Sequence, residues 1–308
     1  MSFRNAPWPA LALAIVTTSI AAVEPAQPPK SRSVADIVAA APASDWRDLD
    51  PANTLYMDLP GGTVVIELAP LYAPLHAANI RTLVHGHYFD GTAVIRSHDN
   101  YVSQWGDPSE DVEGSVPKPL GDAKATLPPE FTAPISPKIP FTKLRDGDVY
   151  APEVGFSDGF PAARDPKAKQ TWLTHCYGAV GVGRGLDLDS GNGASLYAVI
   201  GHSPRHLDRN IAVVGRVVQG IEILSSLPRG TGPLGFYQDA KQYVPISSVR
   251  MESDLPPEKR LHLQVMRTDS VSFAAVAEVR RNRRDDFYVV PAGHIELCNV
   301  QIPVRTAP

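Results

Sequence analysis

Arg96 stands inside an apolar run, Thr92-Ala-Val-Ile-Arg-Ser, and Gln104 follows eight residues later, just before a Gly-Asp-Pro corner at 106–108. A guanidinium is planar, permanently charged and rich in donors, so an arginine held in a strand can stabilise a lone pair that develops during a reaction without any covalent step. The other groups that could do chemistry are weaker candidates. His85-Gly86-His87, with His98 nearby, lacks the spacing of a helix-borne metal pair, and no Asp, Glu or Cys stands at an interpretable interval. Asp187-Leu-Asp189-Ser-Gly191 has no glutamate to close a calcium loop. Gly178-Ala-Val-Gly-Val-Gly follows no dinucleotide fingerprint, and no serine sits in a Gly-x-Ser-x-Gly elbow. Neither a cofactor nor a metal is expected.

Residues 89–107, running from Phe89-Asp-Gly-Thr92 through Arg96 to Tyr101-Val-Ser-Gln104-Trp-Gly-Asp107, resemble the active-site strand pair of cyclophilins. That resemblance implies a peptidyl-prolyl cis-trans isomerase acting on Pro-containing polypeptides. It places Arg96 at the family's catalytic arginine, Tyr101, Val102 and Leu207 at its apolar pocket, and Gln104 at its substrate-positioning glutamine. Elsewhere the groove departs from the family. Ala194-Ser-Leu-Tyr-Ala198 stands where Gly-Ser-Gln-Phe-Phe is usual, so Leu196 is expected to replace a second glutamine and Ala198 the pocket phenylalanine. Gly183-Arg184 replaces an Ala-Asn pair that hydrogen-bonds substrate backbone, His206 replaces a tryptophan, and Ile211 a histidine. A lost pocket ring removes roughly 1.5–3 kcal/mol of apolar contact, so a peptide-binding module with little turnover is the alternative reading.

The elements that must carry these residues are mainly strands. Leu55, Met57 and Leu59 alternate, Gly61-Gly62 turns, and Val64, Ile66 and Leu68 alternate again, which predicts a hairpin. Pro74 to Gly86 reads as a helix, followed by strands around 93–95 and 101–104. Further strands are expected at 178–183, 196–200, 211–218 and 246–252, with a short helix at 220–227. The set fits a mainly β fold, a closed eight-stranded antiparallel barrel capped by two helices. Residues 46–254 form this domain, interrupted by a proline-rich insertion at 108–177 that is expected to pack on the surface or over a cleft, with short strands of its own. Residues 255–308 form a small α+β extension, with a strand at 261–265 and a helix from Asp269 or Ser270 to Arg281. The basic cluster from Arg280 to Arg284 is followed by two aspartates and reads as a solvated helix end.

Among 308 residues the net charge is −4, which gives no electrostatic reason to expect nucleic acid or anionic lipid as a partner. Arg4, the apolar stretch Leu11–Ala22 and Glu24 have the layout of a secretory signal peptide at 1–22, with a linker at 23–45 that carries one short helix-like piece at Ser33–Ala40. The expected location is therefore periplasmic or secreted, with no membrane attachment after cleavage. In such a compartment Cys176 and Cys298 could close one long-range disulfide or remain two buried thiols.

Overall fold

A computed structural model describes residues 32–110, 114–285, 287–288 and 290–308, so the expected leader at 1–22 lies outside the described residues. The first element is a helix, α1 (Val34–Ala40), whose capping residue Ser33 accepts from the Asp36 amide while the Asp36 carboxylate accepts from the Ser33 amide. It coincides with the short helix-like piece expected at Ser33–Ala40 within the linker. The capped helix buries Ile37 and packs beside the last helix of the chain, so its apolar face has a partner that local sequence does not reveal. A short strand follows, β1 (Trp46–Asp48).

The expected hairpin is present as β2 (Thr54–Leu59) and β3 (Gly62–Leu68), where Gly62 adopts φ +128° in the turn. Helix α2 (Pro74–His85) opens on its proline and buries Ile80, Leu83 and Val84 against that sheet. Its Ala73 cap offers no side-chain acceptor, and Glu130 supplies one instead, taking the amides of Leu75 and His76. The strands β4 (Ala93–Ser97) and β5 (Val102–Gly106) carry the Arg96 segment.

The insertion builds a sheet of its own. Strands β6 (Ala133–Pro134), β7 (Thr142–Lys143), β8 (Glu153–Ser157), β9 (Phe160–Asp165) and β10 (Gln170–Leu173) pair in the order β6-β10-β9-β8-β7. Its central hairpin turns on Asp158-Gly159, both at positive φ, the conformation that a two-residue turn of this hand requires.

The chain then returns through β11 (Ala179–Val182), β12 (Leu196–Val199), β13 (Val213–Gln219), helix α3 (Ile221–Ser225), β14 (Val244–Pro245) and β15 (Ser248–Met251). These join β2 to β5 in a curled antiparallel sheet ordered β14-β4-β5-β12-β11-β13-β3-β2-β15. The pairing thus gives nine strands rather than the eight expected. The extra one arises because the last stretch changes partner: Ile246 donates to Thr92 O and Ser247 to Asp58 O, so Val244–Pro245 lies on β4 and Ser248–Met251 on β2.

The extension comprises β16 (Leu263–Met266), α4 (Val271–Arg281) capped by Ser270, and β17 (Val304–Thr306). Strand β16 pairs with β1 on one side and β17 on the other. Cys176 and Cys298 are joined as a disulfide, which ties the end of the insertion to the extension. Arg281 departs from the solvated helix end expected of its cluster. It is buried, and its Nε and Nη2 donate to the two oxygens of Asp146 in the insertion.

The curled sheet, the insertion and the extension's sheet meet at one largely buried charge cluster. Glu67 of β3 accepts from Nε and Nη2 of Arg216 in β13 at 3.1 and 3.0 Å, and pairs with Nη2 of Arg47 in β1 at 2.6 Å. Arg47 also reaches Asp158 at the insertion's hairpin tip, by its Nε at 3.0 Å. Burial lowers the Arg216 guanidinium and raises the Asp158 carboxyl. Glu67 and Arg216 are buried and Arg47 is largely covered, while Asp158 stays half exposed at the rim, so two cations and two anions balance from the interior outward. Glu67→Ala leaves two arginines at this junction with one anion, and chemical denaturation is expected to show a loss of about 3–5 kcal/mol. Cys298→Ser removes a tie across 122 residues, and is expected to cost about 2–4 kcal/mol in the same measurement.

Candidate active site

A β-bulge decides where Arg96 points. Val94 pairs with Trp105 and lies in the barrel core, and regular alternation would send Arg96 to the same side. The register instead shifts between Val94 and Arg96, which brings Arg96 opposite Gln104 on the outer face. There its Nε donates to Leu234 O at 2.7 Å, Nη1 to Gln104 Oε1 at 3.0 Å, and Nη2 to His98 Nδ1 at 3.2 Å. The guanidinium lies over Tyr101 at 5.6 Å and Phe236 at 5.2 Å. Burial lowers the Arg96 pKa, yet a guanidinium remains charged at any physiological pH. Burial, and then Arg96 itself, hold His98 below its ordinary value, which keeps His98 Nδ1 an acceptor. Three of the five N–H groups are engaged, and two have no partner among the described residues.

Gln104 continues the line, its Nε2 donating to Ser195 Oγ at 3.0 Å. Gly183 lies against both, and a Cβ there would stand 2.8 Å from Ser195 Oγ and 3.2 Å from Gln104 Nε2. The absent side chain leaves these polar atoms uncovered. Tyr101 and Leu207 are half-buried, and the exposed His206 ring stacks on Tyr101 with centroids 6.5 Å apart. Arg96, Tyr101 and Gln104 are therefore contiguous, and Tyr101 links His206 to them.

Two assignments on β12 require correction. Leu196 pairs with Trp105 and Ala198 with Ser103, and both side chains lie in the barrel core. The residues facing outward are Tyr197, opposite Gln104, and Val199, opposite Val102. Tyr197, not Leu196 or Ala198, lies opposite Gln104, and in a strand a shift of one residue exchanges the faces. Alternation counted back from Gln104 and its partner strand would have found Tyr197.

Tyr197 also exposes a feature that motif reasoning missed. Its ring crosses Gly181, where a Cβ would fall within 2.9 Å of the hydroxyl oxygen and two ring carbons, and its hydroxyl meets His175 Nε2 at 2.9 Å. His175 Nδ1 donates to Asp208 Oδ1 at 2.9 Å, and Arg205 Nε donates to Asp208 Oδ2 at 2.6 Å. Arg205 in turn forks onto Asp148, with both bonds at 3.0 Å. This buried chain runs from the groove floor to the insertion, and fixes the turn that bears His206 and Leu207. Burial pushes the Tyr197 phenol up, so it stays neutral. Burial also pushes Asp208 up, but the bonds from His175 and Arg205 outweigh it and hold the carboxyl below its ordinary range.

The insertion also closes the apolar floor. Val102 and Val199 are buried in one cluster with Phe160, Leu173 and Ala133 of the inserted sheet. What remains open to a ligand is the half-buried rim of Tyr101, Leu207 and Ile211. Among the described residues, no three His, Cys, Asp or Glu side chains are grouped to hold a metal ion.

Residues 54–251 match the family described as "Cyclophilin type peptidyl-prolyl cis-trans isomerase/CLD", and the chain belongs to that family. The crystal structure of cyclophilin AquaCyp293 from Hirschia baltica is similar over 84% of this chain and 92% of its own, with a TM-score of 0.65 and 29% identity. Proteins from Brucella suis and Brucella melitensis, each named "Probable peptidyl-prolyl cis-trans isomerase", are 25% identical over 190 residues, which is 59% of this chain and 74% of theirs.

Two outcomes follow from the buried chain. Tyr197→Phe strands His175 Nε2 without a partner, and is expected to lower unfolding stability by about 1–3 kcal/mol while the fold is retained. The stability that Asp208 confers is complete above its ordinary value of 3.8 and is lost as the pH falls through its depressed pKa. Asp208→Asn should therefore flatten the acid side of a melting-temperature profile, and an unchanged acid limb would contradict this account.

Proposed function

We propose that the chain is a peptidyl-prolyl cis-trans isomerase that assists the folding of exported proteins by acting on their extended Pro-containing segments. The observation that carries this is Arg96, a charged guanidinium turned to the outer sheet face by a bulge, held by three neutral partners and keeping two N–H groups unclaimed among the described residues. Rotation about an X-Pro bond breaks C–N resonance against a barrel-independent barrier of about 18–20 kcal/mol. At the twisted geometry the prolyl nitrogen regains a lone pair. A donor beside that nitrogen binds the twisted amide better than the planar one, and only that difference accelerates the reaction. Gln104 both orients Arg96 and presents polar atoms to the substrate backbone, while Tyr101 and Leu207 flank the ring. The disulfide is in keeping with a periplasmic or secreted location, since such bonds persist in oxidising compartments. In this reading the nine-stranded sheet serves as the family's closed barrel, with Val244–Met251 bridging its two ends.

A non-catalytic peptide-binding or assembly module is the second reading. It no longer draws support from Leu196 and Ala198, which face the core. Its support is the burial of Val102 and Val199 beneath the inserted sheet, which leaves the proline ring a shallow seat.

An isomerisation assay on an X-Pro peptide separates the two. The wild type is expected to accelerate exchange and Arg96→Ala to lose about a hundredfold of that acceleration, the scale seen when one preorganised donor is removed. Equal rates for both proteins would sink the catalytic reading.

A further inference from the structure

We propose that Arg184 makes the groove selective for segments carrying a carboxylate within two residues before the proline, an inference that rests on the isomerase reading. The buried arginines of this chain are each matched by acids: Arg205 by Asp148 and Asp208, Arg216 by Glu67, Arg281 by Asp146 and Glu278. Arg184 is different. Its Nε donates to Asn210 O at 3.0 Å, its Nη1 to Gly185 O at 2.8 Å, and its guanidinium lies over Phe131 of the insertion at 5.6 Å. These partners are neutral, so they hold the cation in place without cancelling its charge. Among the described residues its Nη2 meets no hydrogen-bond partner, and Asp187 and Asp189, exposed in the same turn, form no ion pair with it.

Arg96 is also held only by neutral partners. Two half-buried guanidiniums thus stand at the ends of one polar line, Arg96 to Gln104 to Ser195 and Gly183, and then Arg184, in a chain whose acids outnumber its bases by 33 to 29. A proline ring seated against Tyr101 and Leu207 sends its acyl side along that line. Extended residues advance about 3.3–3.6 Å each, so a side chain one or two positions before the proline comes within reach of Arg184. A guanidinium with N–H groups to spare matches a carboxylate in both charge and shape.

The test measures exchange by NMR, without a coupling protease, on the full chain. Peptides differ only in bearing Glu, Gln or Lys at the first or second position before the proline. At low ionic strength Glu is expected to exceed Lys by about three- to tenfold in kcat/KM at one of these positions, and the margin should shrink in about 1 M salt, where screening is nearly complete. Arg184→Lys should keep the preference and Arg184→Glu should reverse it, each variant being checked by its melting temperature. The same Glu-to-Lys ratio in the wild type and Arg184→Glu would overturn the proposal. Should no peptide exchange faster than its uncatalysed rate, the isomerase reading fails separately. Dissociation constants of the same peptides then decide the charge preference, which stands if Glu binds tighter than Lys and Arg184→Glu inverts the order, and falls if the affinities are equal.

Discussion

Glu67 is the point on which the architecture turns. Its carboxylate lies between Arg216 from the barrel sheet and Arg47 from the extension's sheet, and Arg47 continues to the hairpin tip of the insertion. Charges taken out of water are tolerated only when each finds a partner in good geometry, so this junction exists only if all three parts are in place. The Asp158-Gly159 turn shows how tightly the parts fit. A Cβ on Gly159 would lie 2.9 Å from Arg47 Nη2 and 3.2 Å from a methyl of Val265, so hairpin, strand β1 and strand β16 close on one another with no room for a side chain. The insertion and extension are consequently parts of the domain's interior, and the second apolar cluster, with Phe156, Trp172, Phe273 and Leu297, is built from both.

The groove inherits its geometry from departures from regularity. A regular β4 would aim Arg96 inward among Val94 and Trp105, where a guanidinium has no acid to meet it. The bulge converts a misplaced charge into a presented one. On the other wall, Gly181 and Gly183 are flat places on which Tyr197 lies and beside which Gln104 and Ser195 stand uncovered. The turn with His206 and Leu207 is held from behind by Asp208, Arg205 and Asp148, so the insertion both reduces the apolar floor and stiffens the rim that remains. Loss of pocket depth and gain of rim rigidity have the same structural source.

Local periodicity revealed the elements that satisfy themselves locally. The hairpin at 54–68 and the helix at 74–85 follow alternation, glycine turn and proline start closely, as does α4 with its Ser270 cap. The Arg96–Gln104 pair was likewise legible, because a charged residue in an apolar run invites a chemical explanation. What depended on distant partners was not legible. Helix α1 needs α4 to bury Ile37, and Arg281 needs Asp146 to leave solvent, neither of which composition near 33–45 or 280–284 can report. Short strands within the insertion were legible, but the proline-rich stretch around them hides which two residues, Asp158-Gly159, make the turn. The register on β12 failed for a different reason: motif spacing locates residues along a strand but does not say which face they occupy.

The pairing of β1 with β16 has a consequence for the order of events when the chain is made. Trp46–Asp48 emerge early, yet their neighbours on the sheet are Leu263–Met266, and Cys176 likewise waits for Cys298. A ribosome building this protein from its amino terminus has delivered most of the polypeptide before its first strand can find a place. Until then Trp46, Arg47 and the helix ahead of them have no stable seat, and their apolar surface stays open to water.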